Sequence, residues 1–141
     1  VGSEMCIRDS SLNFPAGPEL ERLSEKSNAV FKIKPSMKNT DCSLSGVENK
    51  CKKMLTENYE KSDIALFCID SVIAALDGMY KALMPKYGAL PVVFSGGVTS
   101  NKRIKNYFHD KYNAIFAEPA FSADNAAGTA VLSSIMYDRR K

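Results

Sequence analysis

The stretch Pro91-Val92-Val93-Phe94-Ser95-Gly96-Gly97-Val98-Thr99-Ser100-Asn101 joins a short apolar run to two adjacent glycines and a polar tail. Residues 91–95 have the length and the Val/Phe content of a short buried strand, and the glycine pair ends it. A helix is expected next, over about residues 101–111, then a second apolar strand over 114–117. Asp124 opens a last helix reaching about Tyr137. Strand, helix and strand in that order imply parallel strands joined by a right-handed crossover. The expected fold class is therefore α/β, with ligands bound in the crevice beyond the carboxyl ends of the strands.

Upstream, Ser62 begins the clearest helical pattern. Ile64, Phe67, Cys68, Ser71, Val72, Ala75, Leu76, Met79 and Leu83 recur at steps of three and four, and Gly88 supplies the stop. An amphipathic helix with this stripe facing the core is expected. Residues 18–26 read as a short helix with Pro at its first position, 29–33 as a short strand ended by Pro35, and 47–57 as a helix. Residues 36–41 read as a polar connection.

The 141 residues fit one domain, 45% hydrophobic and 25% charged, which is ordinary for a globular protein. No apolar run approaches the roughly 18 residues of a membrane span. Of four cysteines, Cys6 lies near the start, and Cys42, Cys51 and Cys68 show neither CxxC nor zinc-ligand spacing. Such irregular spacing without a secretion signal points to reduced thiols and a cytoplasmic location. Cys68 is expected to be a packing residue. The net charge of +3 does not by itself indicate nucleic-acid binding. The basic residues form three clusters, Lys32/Lys34/Lys38, Lys50/Lys52/Lys53 and Lys102/Arg103/Lys105, each readable as a solvated face.

Residues 1–10, VGSEMCIRDS, show no structural period and no signal-peptide design. The string resembles translated sequencing-adapter read-through. It is expected to be a non-native leader, with residues 11–141 as the genuine domain and the parent protein extending upstream.

Two loops carry possible chemistry. Gly96 and Gly97 allow close backbone approach to a ligand, and Ser100 and Asn101 stand where free N–H groups at a helix start favour ribose or phosphate oxygens. A glycine turn with a polar cap accounts for the same residues. Asp124, in Ser122-Ala123-Asp124-Asn125, is either a helix cap or a metal ligand. The single histidine, His109, lies mid-helix among charged residues, so this chain cannot complete a metal site alone.

The ordered motifs FPAGP (from Phe14), CSLSG (from Cys42), GGVTSN (from Gly96) and SADNAAG (from Ser122) resemble the tRNA N6-adenosine threonylcarbamoyltransferase family. The resemblance runs from about Leu12 to Met136. It implies the C-terminal lobe of an actin-like, two-lobed fold shared with sugar kinases and heat-shock ATPases. It also implies transfer of threonylcarbamoyl from threonylcarbamoyl-adenylate to the adenosine beside the anticodon of tRNAs reading codons that start with A. By the same resemblance Gly17, Gly96, Gly97 and Asn101 bind the adenylate. Asp124 would hold one divalent metal, iron or zinc, shared with histidines of an N-terminal lobe not in this chain. No catalytic residue is identified, and the chain alone is expected to be inactive.

Three departures, Ala16 in FPAGP, Glu48-Asn49 after CSLSG, and Thr99-Ser100, resemble a paralogous branch found among clostridial-type bacteria. Two other functions fit the same fold: a non-catalytic subunit that pairs with a related-fold protein, and an ATP-dependent small-molecule kinase.

Overall fold

Glycine and asparagine set the ends of the two helices that frame the molecule. Gly88 closes a 27-residue helix at φ 75, and Asn113 closes an 11-residue helix in the left-handed region at φ 50. Both residue types reach that region at low cost. The computed structural model describes residues 17–118. The readings on residues 1–16, and on Asp124 with its helix, lie outside them.

In chain order the elements are α1 (Gly17–Ser24), β1 (Ser36–Lys38), β2 (Asp41–Ser43), α2 (Ser45–Thr56) and α3 (Lys61–Tyr87). They continue with β3 (Val93–Phe94), a 3-10 turn (Val98–Ser100), α4 (Lys102–Tyr112) and β4 (Ile115–Phe116). The helices expected near residues 18–26, 47–57, 62–87 and 101–111 are thus present, shifted at most a few residues at their ends. β3 pairs with β4 in parallel, Val93 opposite Ile115 and Phe94 opposite Phe116, with α4 as the connection. The chain is α/β.

α3 is more deeply embedded than an amphipathic stripe predicts. Ala65, Leu66, Phe67, Cys68 and Ile69 are all buried, five positions in succession. The helix is gripped from two sides. Phe67 and Cys68 pack with Cys51 and Met54 of α2, and Phe31 and Ile33 close that cluster. Ile69 and Ile73 pack with Ile104 and Phe108 of α4 and with Ala114, and Val92, Phe94 and Phe116 cover them. Leu20 of α1 touches both clusters.

Three expectations need correction. The strand expected at 29–33 does not form. Phe31 and Ile33 are half-buried while Val30, Lys32 and Lys34 are exposed, so burial alternates as in a strand, but no ladder partner stands beside it among the described residues. Phe31 instead meets Phe67 edge-on, 5.4 Å between centroids. The polar connection at 36–41 is in fact most of a hairpin, β1 antiparallel to β2 with Lys38 opposite Asp41. Asn39, at φ 58, makes the two-residue turn. This hairpin lies against α3 where Gly78 leaves room: a Cβ there would be 2.9 Å from Met37 Sδ. Finally, the strand expected to be buried at 91–95 is buried on one face only. Val93 is 65% exposed and its partner Ile115 59%, because the described helices pack against the Phe94 and Phe116 side.

Asp77 of α3 is 8% exposed and carries three donors. Lys111 Nζ lies 2.9 Å and Tyr112 OH 2.5 Å from Oδ1, and Lys81 Nζ lies 2.6 Å from Oδ2. Burial pushes the carboxyl up, but the hydrogen bonds from Lys111, Lys81 and Tyr112 outweigh it and hold the group at about 2, below its ordinary 3.8. At the other end of α4, Arg103 makes a two-pronged contact with Asp70, at 2.6 and 3.1 Å. A carboxyl depressed on folding contributes stability above its unfolded value and loses it as pH falls through the folded one. Stability is therefore expected to drop between pH 3.8 and about 2 through Asp77. Asp77→Asn should flatten that limb in acid denaturation and cost about 1–3 kcal/mol at neutral pH.

Candidate functional site

Between the start of α1 and the start of α4 lies a cavity of about 200 Å³. Gly17, Gly97, Ser100 and Asn101 line it, with Cys68, Ile69 and Val72 of α3 forming the apolar floor. Three of the four adenylate-binding residues expected from sequence, Gly17, Gly97 and Asn101, therefore meet in one place. The fourth, Gly96, is not among the lining residues and shapes the loop beside them. Its φ of +117 is open to glycine and strained for other residues. Thr99 Oγ1 donates to Gly96 O at 2.8 Å and closes the turn.

The two glycines in the wall have a different reason to be glycine. A Cβ added at Gly17 or at Gly97 would meet nothing within 4 Å. Gly97 has ordinary helical angles, φ −60 and ψ −38. Neither packing nor backbone strain asks for glycine at 97, so the space in front of it is available to a ligand.

Asn101 caps α4, its Oδ1 accepting from Ile104 N at 3.1 Å. The capping reading of this residue thus holds, and the side-chain NH2 keeps its two donors. Sequence reasoning missed Glu21. Its Oε1 accepts from Lys102 N at 3.0 Å, so a carboxylate from α1 already occupies the positive end of α4. Nothing local in the sequence links residue 21 to residue 102, and only the packing of α1 on α3 brings them together. Cys68, expected to be a packing residue, is buried. The Cys51 thiol beside it holds Cys68 below the ordinary thiol value, with burial opposing.

The CSLSG motif does not reach this cavity; Ser43 and Ser45 share a hydrogen bond with each other at 2.9 Å. His109 is exposed and pairs with Asp110. Among the described residues no three His, Cys, Asp or Glu side chains converge as a metal site would need, and Asp124 lies outside them. No helix among them is long and apolar enough to cross a membrane.

A sequence profile of the tRNA N6-adenosine threonylcarbamoyltransferase family matches residues 4–131. The chain belongs to that family. It is 30% identical over 99 residues to the tRNA N6-adenosine threonylcarbamoyltransferase of Thermococcus sibiricus, covering 70% of this chain and 31% of the relative. The enzyme of the same name from Kosmotoga olearia is 28% identical over 140 residues, covering 92% of this chain and 42% of the relative. That from Thermococcus kodakarensis is 29% identical over 136 residues, with the same two shares, 92% and 42%. The chain thus spans less than half the length of these threonylcarbamoyltransferases.

The two loop glycines should respond differently to a methyl group. Gly96→Ala is expected to lower stability by about 1–3 kcal/mol through backbone strain. Gly97→Ala should stay within about 0.5 kcal/mol of the parent, as a substitution at an open site does. Urea unfolding of the two variants measures the contrast.

Proposed function

We propose that this chain forms the nucleotide-side wall of a site that transfers threonylcarbamoyl from threonylcarbamoyl-adenylate to tRNA. The acceptor is the N6 amine of the adenosine beside the anticodon, in tRNAs reading codons that start with A. One observation carries the reading: Gly17, Gly97 and Asn101, from opposite ends of the described chain, line one cavity. Family membership supports it further.

In this reading the adenylate enters over Gly17 and Gly97, whose missing side chains let its atoms approach the backbone. The Asn101 amide donates to it while Oδ1 stays on the α4 cap. Glu21, already at the rim, accepts from ribose hydroxyls, for which a carboxylate is well suited. Leu20, Ile69 and Val72 keep water from the buried face. The two-lobed actin-like arrangement, and a divalent metal held by Asp124 with ligands from outside this chain, belong to the same proposal. Such a metal would polarise the carbamoyl carbonyl. The described residues hold no cluster of His, Cys, Asp or Glu that would complete its ligand set.

The test is a titration of the 141-residue chain with AMP, followed by amide NMR and calorimetry. Shifts confined to Gly17, Gly97, Asn101 and their neighbours are expected, with Gly97→Leu weakening binding at least about tenfold, equivalent to about 1.4 kcal/mol, at an unchanged melting temperature. AMP binding that ignores Gly97→Leu would sink the reading. Tight ATP binding with no measurable AMP binding would favour a phosphoryl-transfer enzyme of the same fold.

A further inference from the structure

Two of the three basic clusters in the sequence meet in space. Lys32, from the extended run before β1, and Lys50 and Lys53, from α2, line one open cavity of about 300 Å³. Its apolar wall combines three aromatic rings, Phe31, Tyr59 and Phe67, with Val30 and Met54. Lys50 Nζ stands 5.1 Å from the Phe67 centroid, and Tyr59 is 48% exposed at the rim. Among the described residues one acid lines the cavity, Glu57, 3.6 Å from Lys53, so three lysines face a single carboxylate there. The alternation that exposes Lys32 also exposes Lys34 and Lys38, carrying positive charge beyond the rim. The third cluster is used otherwise: Arg103 is bound to Asp70, and Lys105 lies 6.0 Å from the Phe116 centroid. Among the described residues this cavity shares no lining residue with the one at the start of α4.

We propose that the lysine-ringed aromatic cavity between α2 and the run 27–35 is a contact surface for single-stranded RNA. An unpaired base seats against Tyr59 and Phe31, and the flanking phosphates lie on Lys32, Lys50 and Lys53. An acidic protein would need the cations alone. The exposed ring beside them is what favours a nucleic acid, because every base offers a face to stack while its phosphates take the charge. The choice of RNA over other polyanions rests on the transferase reading; the surface itself is assigned from the residues.

Fluorescence anisotropy of the 141-residue chain with labelled tRNA, an unstructured RNA oligomer and an RNA duplex tests the surface. Replacing Lys32, Lys50 and Lys53 together by Gln should weaken binding to the oligomer at least about tenfold and reduce the salt slope by about 2. Tyr59→Ala should weaken oligomer binding about tenfold and leave the duplex alone. The matching Lys→Arg triple variant should bind like the parent, and melting temperatures should agree across the set. No RNA binding by the parent chain, or a Gln triple variant with parental affinity and slope, overturns the proposal. So does loss of polyglutamate binding with RNA binding intact, which would assign the surface to an acidic protein. None of these outcomes touches the AMP titration, so the two readings fail separately.

Discussion

Through its middle turns α3 buries side chains in two directions at once, toward α2 and the run 27–35 on one flank and toward α4 and the strand pair on the other. A helix held this way cannot rotate without exposing one cluster or the other. Its polar residues must then find partners inside the fold. Ser71 returns its hydroxyl to Phe67 O at 2.7 Å, and Asp77 accepts from the end of α4. The buried carboxylate is tolerated because its donors outweigh the cost of removing it from water. Each solution ties another element to α3.

The cavity at the start of α4 inherits its geometry from that arrangement. Ile104 and Phe108 set α4 against α3, and that places Asn101. Leu20 sets α1 against the same helix and brings Gly17 and Glu21 to the opposite rim. The Glu21 carboxylate on the Lys102 N–H changes what this helix end can do. A bare helix start favours anions; one already facing a carboxylate favours hydroxyls and amides. The chemistry at this rim therefore suits the sugar of a nucleotide better than its phosphate.

The two candidate surfaces differ in character. The first is mostly apolar, with Gly17 and Gly97 in its wall. The second, formed on the α2 flank, is aromatic and cationic. They sit against the adjacent residues Phe67 and Cys68 of α3, whose side chains join one buried cluster. A single helix thus backs both of the proposed surfaces.

Local signals made much of this legible. The three-and-four spacing from Ile64 to Leu83, Gly88 as its stop, the Gly96-Gly97 break and Asn101 as a cap each act within a turn or two of chain, so sequence alone determined α3, the loop, α4 and the parallel order of β3 and β4. At 29–33 burial alternates as it does along a strand, yet no strand forms. A strand also requires a neighbour, which alternation cannot supply. What only the tertiary structure decided are the meetings across long separations: Glu21 with Lys102, Asp77 with Lys111 and Tyr112, Cys51 with Cys68, and Lys32 with Lys50 and Lys53. No local period encodes such pairs. They follow from how α3 is packed on both flanks, and that packing is a property of the whole chain.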